Sequence, residues 1–189
     1  IKELATHQPK IDNMGYSFKN LLKTVIGFRG LTGVFNWLKE SVSLGAEITE
    51  IDHIVESVFG EDMVGYVNEW ANNAIEKFGI ASNSAKKYAG TLSAMFQASN
   101  VAMSDSNQMA MKLTELAGDL SAFYNIDTET AYNKIKSGMA GMVRPLRDLG
   151  IDLTAASLAE YAHAKGIEKK YSAMSQAEKM MLRYEYLLE

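Results

Sequence analysis

Three aspartates, Asp119, Asp148 and Asp152, are the residues of this sequence with the clearest catalytic potential. Two carboxylates on either side of a cleft would serve a helical glycoside hydrolase, in which one acts as general acid. Asp119 falls within strongly periodic helical sequence, however, and Asp148 and Asp152 flank Gly150, where Asp commonly accepts hydrogen bonds from turn backbone. We therefore favour structural roles for all three and predict that the chain is not an enzyme.

Metal or nucleophilic chemistry is no better indicated. His7, His53 and His163 lie far apart, without ligand partners at metal spacing, and His53 is predicted to be a packed or half-exposed core histidine. The sequence contains no cysteine, which excludes a disulfide framework, a thiolate zinc site and a cysteine nucleophile. Arg144 and Arg147 could contact a phosphate or an acidic partner, but two arginines near a turn are weak support. We predict no metal and no cofactor.

Composition predicts a helical, folded protein. Hydrophobic residues make up 47% and charged residues 22%, too apolar for a disordered chain. The net charge of -4 argues against specific nucleic-acid binding, because nucleic-acid-binding proteins usually have an excess of basic residues. Two prolines, eleven methionines and no long period-two alternation favour helices over strands. We predict an all-α fold of several short-to-medium helices, compact or hinged, with any leftover apolar face completed by packing between copies.

Capping residues divide the sequence into helices of normal globular length. The predicted helix ends are Gly60, Gly79, Asn125 and Gly166. The predicted starts are Asp62, Ser82 or Ser84, Asp127, Thr154, and the capping box Ser175 with Glu178. One predicted apolar face contains Tyr66, Val67, Trp70, Ala74 and Ile75; another contains Met109, Leu113, Leu116, Ala117, Leu120, Phe123 and Tyr124. Residues 138–150 are predicted to form a loop or a set of short turns.

The chain divides into a basic N-terminal segment, residues 1–46, and a helical region, residues 47–189. Within the first, residues 18–38 have apolar residues at mostly helical spacing and are predicted to form two helices or a kinked one: Phe18, Leu21, Leu22, Val25, Ile26, Phe35 and Leu38. We favour a partly buried helix with solvated lysines. A basic amphipathic helix that contacts a membrane surface or a partner groove remains the alternative.

Two apolar seams are candidates for contacts between chains. The first steps by three, four and three residues through Ile48, Ile51, Val55 and Val58. The second contains Met181, Tyr184 and Leu188 near the C-terminal end of the sequence. If these faces are not used within one chain, they would have to meet sister copies.

Four motifs in a fixed order carry a family resemblance. They are Lys112–Asn125 (KLTELAGDLSAFYN), Ser137–Gly141 (SGMAG), Arg144–Thr154 (RPLRDLGIDLT), and the closing pair MSQAEK and LRYEYLL within residues 174–188. Together they resemble the conserved helical region of the tape measure proteins of tailed phages. The resemblance is loose from Glu47 and close from Ala85 onward, and the sequence departs from the family pattern at Met142–Val143–Arg144.

The resemblance implies a structural role in a phage or prophage tail. Tape measure proteins set tail length during assembly in the host cytoplasm, occupy the tail lumen of the virion, and leave ahead of the DNA at genome ejection. They are generally described as present in three or six copies, and they bind tail-tip or baseplate proteins, tail tube proteins and tail assembly chaperones. The residues that would carry the family motif here are Gly138, Gly141, Pro145, Leu146, Gly150 and Ile151.

The predicted helix ends are too closely spaced for this part of the sequence to form the one long helix that would measure tail length. A single helix of this length would span about 280 Å at about 1.5 Å per residue, whereas the capping pattern predicts helices of roughly 10–20 residues. We therefore expect a fragment of a longer chain that docks to the tail tip or organises neighbouring copies. A cell-wall hydrolase is the least favoured alternative.

Overall fold

The computed structural model describes residues 48–189, with side chains from residue 51 onward, and this part is all-α with no strand. The predicted basic segment 1–46, including residues 18–38, lies outside the described residues. The helices are α1 (Ile48–Phe59), α2 (Val64–Asn72), α3 (Ala74–Phe78), α4 (Ser82–Ala98), α5 (Met103–Tyr124), α6 (Thr128–Met139), α7 (Arg144–Arg147), α8 (Ala155–Ala164) and α9 (Gln176–Leu187). Short 3₁₀ turns occupy Glu61–Met63 and Tyr171–Ala173.

Helices α4 and α5 form the centre of the fold. They pack against each other, α1 and α2 cover α4, and α6 covers α5. Helix α9 packs on α6 and α8 at the C-terminal side. One continuous hydrophobic core runs through these helices from Ile54 to Leu187, and a smaller cluster of Ala71, Ala74, Ile80 and Ala85 joins α2, α3 and α4.

Local capping chemistry sets several helix boundaries, as the sequence predicts. Gly79 and Asn125 end α3 and α5 in the left-handed conformation, with φ of 71° and 51°. Asp127 accepts a hydrogen bond from Thr130 N–H at the start of α6, over 2.8 Å. Thr154 likewise caps α8, and Ser175 with Glu178 forms the predicted capping box before α9. These predictions are confirmed because a cap depends on residues within one turn of the helix.

The predicted cap at Asp62 is wrong. Asp62 lies inside the 3₁₀ turn that follows Gly60, and Met63 precedes α2 without any side-chain capping bond. Gly60 does end α1, as predicted, and its φ of 87° redirects the chain. The 3₁₀ turn occupies Glu61–Met63, the positions directly before α2 at which a side-chain cap would have to lie.

Polar side chains of α4 hold the end of α1 against it. Gln97 Nε2 donates a hydrogen bond to the carbonyl oxygen of Val58 over 2.8 Å, and it also contacts the Ser93 hydroxyl at 3.0 Å. The last carbonyls of a helix have no partner within the helix, and an unpaired carbonyl in a core is costly. Side chains of α4 therefore supply the partner that the backbone lacks.

Candidate interaction surface around residues 138–154

The motif glycine Gly138 allows the end of α6 to approach the following loop closely. A Cβ atom on Gly138 would lie 2.1 Å from Leu146 Cδ1 and 3.1 Å from Leu153 Cδ1. Both leucines are buried, at 0% and 2% exposed. A side chain at this position would force Leu146 to move within the core, so Gly138 allows α6 and α7 to pack closely. We call residues 138–154 the corner.

The second motif glycine, Gly141, turns the chain out of α6 and lies against Arg183 of α9. Its φ of 96° is a conformation that side chains disfavour, and a Cβ there would lie 3.1 Å from Arg183 Nη2. Arg183 Nη1 donates to the carbonyl oxygen of Met139 over 3.0 Å, and Nη2 donates to the Tyr171 hydroxyl over 3.1 Å. One guanidinium thereby links the end of α6 to the C-terminal region.

Pro145 lies in the first turn of α7, where a missing backbone N–H costs nothing. Lys134 Nζ of α6 donates to the Pro145 carbonyl oxygen and to Asp148 Oδ2, each over 3.0 Å. Asp148 therefore pairs with a lysine that spans the corner. The loop predicted here is a one-turn helix between two turns.

The Asp152 carboxylate stabilises the turn that leads into α8. Its carboxylate accepts hydrogen bonds from Thr154 N–H (3.1 Å) and from the hydroxyls of Thr154 (3.1 Å) and Ser157 (2.8 Å). The Ser157 hydrogen bond, followed by the contacts with Thr154, holds the pKa of Asp152 below its usual value. Arg147 Nη2 lies 3.6 Å from Asp152 Oδ1. These contacts agree with the structural role that the sequence favours for Asp148 and Asp152.

The remaining motif residues complete the corner. Leu146 is fully buried, and its carbonyl oxygen accepts a hydrogen bond from Ile151 N–H over 3.1 Å. Gly150, between them, has a φ of 78°. The Tyr124 hydroxyl, at the end of α5, donates to the Leu149 carbonyl oxygen over 2.6 Å. All six predicted motif residues therefore lie in the corner, where Gly138 and Leu146 are buried and Gly141 and Gly150 are exposed.

The seams predicted as interfaces between chains are used within the chain. Ile51, Val55 and Val58 are 7%, 0% and 4% exposed because α1 packs on α4 and α5. Met181 and Tyr184 of α9 are also buried, at 2% and 3%. For these five residues the predicted interface is wrong, since their own chain covers them. The side chain of Ile48 lies outside the described residues, and Leu188 is exposed.

Apolar side chains that do reach solvent lie elsewhere. Phe123 is 81% exposed at the end of α5 and packs edge-to-face on Tyr124, with ring centroids 4.9 Å apart. Met142, in the tripeptide that departs from the family pattern, is 56% exposed. Phe123 belongs to a predicted apolar face, as do Tyr66 and Ile75, yet Tyr66 and Ile75 are 41% and 62% exposed. Periodicity identified the helices, but it did not show which apolar side chains have a neighbour.

The remaining candidate groups are dispersed. The His53 side chain is 71% exposed, so the prediction of a packed or half-exposed core histidine is wrong. Asp119 is exposed on α5. Within residues 48–189 no group of three or more His, Asp or Glu side chains is placed to hold a metal ion. In the same part of the chain, every helix is too short or too polar to cross a membrane.

No family model, curated protein or solved structure matches this chain.

Proposed function

We propose that this chain is a structural module of a phage or prophage tail, within a tape measure protein, and that it has no enzymatic activity. In this proposal several copies, three or six, lie at the tail axis or tip, bind tail-tip, tail tube and chaperone proteins, and leave at genome ejection. The observation that carries the proposal is the order of the four sequence motifs along residues 112–188.

The contacts between those motifs support treating them as one unit. Tyr124 of the first motif bonds to Leu149 of the third. Gly138 of the second packs against Leu146 of the third. Arg183 of the last bonds to Met139 of the second, 44 residues away. If the four motifs belong to one shared fold, their separated segments must contact one another, and these three contacts are of that kind.

The exposed apolar residues indicate where a partner would bind in this proposal. Met142 lies in the corner, and Phe123 is next to Tyr124, whose hydroxyl bonds to Leu149 of the corner. Phe123 is almost free of intrachain cover. Aromatic and methionine side chains are enriched at protein interfaces. The partner surface would therefore be next to the corner, since the predicted apolar seams are buried.

Tails purified from a lysate of the source phage or prophage test the proposal. We expect peptides of this chain in the purified tails, and axial or tip density of three-fold or six-fold symmetry that fits helices α4 to α9. Purified tails that lack the chain would refute the proposal.

A matched pair of variants tests the binding surface. Phe123 and Asp119 are both exposed, one turn apart on α5. We expect Phe123→Asp to lower the yield of assembled tails and Asp119→Asn to leave it unchanged. Equal yields from the two variants would exclude Phe123 from the interface.

A further inference from the structure

Glu185, in the last turn of α9, is a partly buried carboxylate without a partner. Tyr184 directly before it and Leu187 at the helix end are buried, at 3% and 8% exposed. The Glu185 carboxylate makes no hydrogen bond or ion pair with any residue in the described part of the chain. Its position is unfavourable for an anion, because burial removes water and the negative end of the helix dipole lies at the same end.

The cation that acts on Glu185 already pairs with another carboxylate. Lys165, directly after α8, donates a hydrogen bond to Glu189, and its ammonium lies 5.2 Å from the centre of the Tyr161 ring. Tyr161 packs edge-to-face on Tyr186, with ring centroids 5.2 Å apart. Lys165, Tyr161 and Glu189 are therefore the titratable groups that interact with Glu185. Helix α6, which also packs on α9, adds none among the described residues.

These surroundings favour the neutral form of Glu185. Burial raises its pKa above the ordinary value of 4.5, the charge of Lys165 opposes this effect, and the charge of Glu189 adds to it. A carboxyl with a raised pKa in the fold binds its proton more tightly there, so the fold gains stability as the pH falls through that pKa. The direction is opposite to that of Glu178, at the start of the same helix, whose pKa is lowered.

The end of α9 also holds the corner. Arg183, two residues before Glu185, donates to the carbonyl oxygen of Met139 and lies against Gly141. Local opening of the last turns of α9 would therefore release this link between α9 and the end of α6. The protonation state of Glu185 thus bears on more than its own turn.

We propose that the contact between α8 and the end of α9 is a pH-sensitive switch, which protonation of Glu185 tightens and ionisation of Glu185 loosens. In mildly acidic solution Glu185 is becoming neutral while Glu178 is still ionised, so both ends of α9 are held. At neutral pH only the start of the helix keeps its full support. The proposal does not depend on the proposed tail function.

Hydrogen exchange of the whole 189-residue chain at pH 5 and pH 7 tests the proposal. The backbone amides of residues 184–187 report local opening at the end of α9. After correction for the intrinsic exchange rate, we expect their protection to be several-fold higher at pH 5 than at pH 7. Glu185→Gln removes the charge and keeps the shape, so it should show the higher protection at both pH values.

Two further variants make the test specific. Glu160→Gln is the matched control, because Glu160 is exposed on α8, and it should keep the pH response of the parent protein. Lys165→Gln removes the cation that partly offsets the Glu185 charge. It should lower protection at both pH values and widen the ratio between them.

A carbon-13 NMR titration of the Glu185 carboxyl measures the same group directly. We expect a midpoint above 4.5 in the parent protein and a higher midpoint in Lys165→Gln. A merely structural role of the side chain would not move this midpoint.

Four results would overturn the proposal. The first is equal protection of residues 184–187 at pH 5 and pH 7 in the parent protein, and the second is the same rise in Glu185→Gln. The third is lower protection in Glu185→Gln than in the parent at pH 7, since the ionised carboxylate would then stabilise the helix end. The fourth is a Glu185 titration midpoint at or below 4.5.

Discussion

Asn107 Nδ2 of α5 donates a hydrogen bond to the carbonyl oxygen of Phe59, over 3.1 Å and across 48 residues of sequence. The Asn107 Oδ1 atom accepts a hydrogen bond from the Ser93 hydroxyl over 2.6 Å. Asn107 is 2% exposed. A single amide thus joins the C-terminal end of α1 to both central helices, inside the core.

Replacing Asn107 by Ala should destabilise the fold by about 1–3 kcal/mol, because the Phe59 carbonyl and the Ser93 hydroxyl each lose a partner without gaining water. Urea unfolding measures the change. Asn133→Ala is the control, since Asn133 is exposed on α6, and we expect a change within about 0.5 kcal/mol. Equal effects of the two substitutions would show that the buried amide contributes nothing.

The sequence predicts the helix ends of this fold but not the contacts between helices that are distant in sequence, and Asn107 illustrates the difference. Helix ends at Gly60, Gly79 and Asn125 depend on local backbone geometry, so local sequence predicts them. Asn107, in contrast, resembles an ordinary solvent-facing residue of a polar helix start. Its role depends on α1, which is distant in sequence.

The same distinction applies to the candidate site. The motif residues of the corner were identified from their order and their turn chemistry. The partners that hold them, Lys134 and Arg183, were not, since a lysine or arginine on a helix usually indicates a solvated face. The seam of α1 was misassigned for a related reason: an apolar stripe shows that a partner exists, but not whether it is the same chain.

The corner should not tolerate a side chain at Gly138. Gly138→Ala places a Cβ within 2.1 Å of Leu146 Cδ1, so we expect a loss of about 1–3 kcal/mol in the free energy of unfolding. Gly65→Ala is the matched control, because a Cβ on that α2 glycine would meet no atom within 4 Å, and alanine favours helix. Thermal unfolding should therefore show destabilisation for the first variant and none for the second.

A double variant tests the cause of that loss. Leu146→Ala alone should cost about 2–5 kcal/mol, because it leaves a cavity in the core. Since it also removes the clashing atom, the double variant should lose less stability than the sum of the single variants. Simple additivity would mean that the Gly138 side chain does not clash with Leu146.

Two neighbouring aromatic residues at the end of α5 should respond differently. Tyr124→Phe removes the hydroxyl that bonds to Leu149, so we expect a loss of about 1 kcal/mol in stability. Phe123→Ser removes an 81% exposed ring, and stability should change by no more than about 0.5 kcal/mol. Urea unfolding of both variants compares them directly. A larger loss for Phe123→Ser would show that its ring is covered within the chain.

Acid should weaken the start of α9 through Glu178. Its side chain is 7% exposed, and burial alone would raise its pKa. Hydrogen bonds from Lys169 Nζ (2.7 and 2.8 Å) and from Ser175 N–H outweigh that effect, so the pKa lies below its ordinary value of 4.5. A carboxylate with a lowered pKa in the fold stabilises the fold above its ordinary pKa.

The Glu178→Gln variant isolates this contribution. At neutral pH we expect it to be less stable than the parent protein by about 1–2 kcal/mol, because the charge-assisted bonds to Lys169 and the capping box weaken. The difference should shrink as the pH falls below 4.5 and disappear below the folded-state pKa, because the parent carboxyl is then also neutral. Glu160→Gln, at an exposed position of α8, should show little difference at any pH. Urea unfolding between pH 7 and pH 3 measures both, and a pH-independent difference for Glu178→Gln would mean that lost shape, not lost charge, weakens the cap.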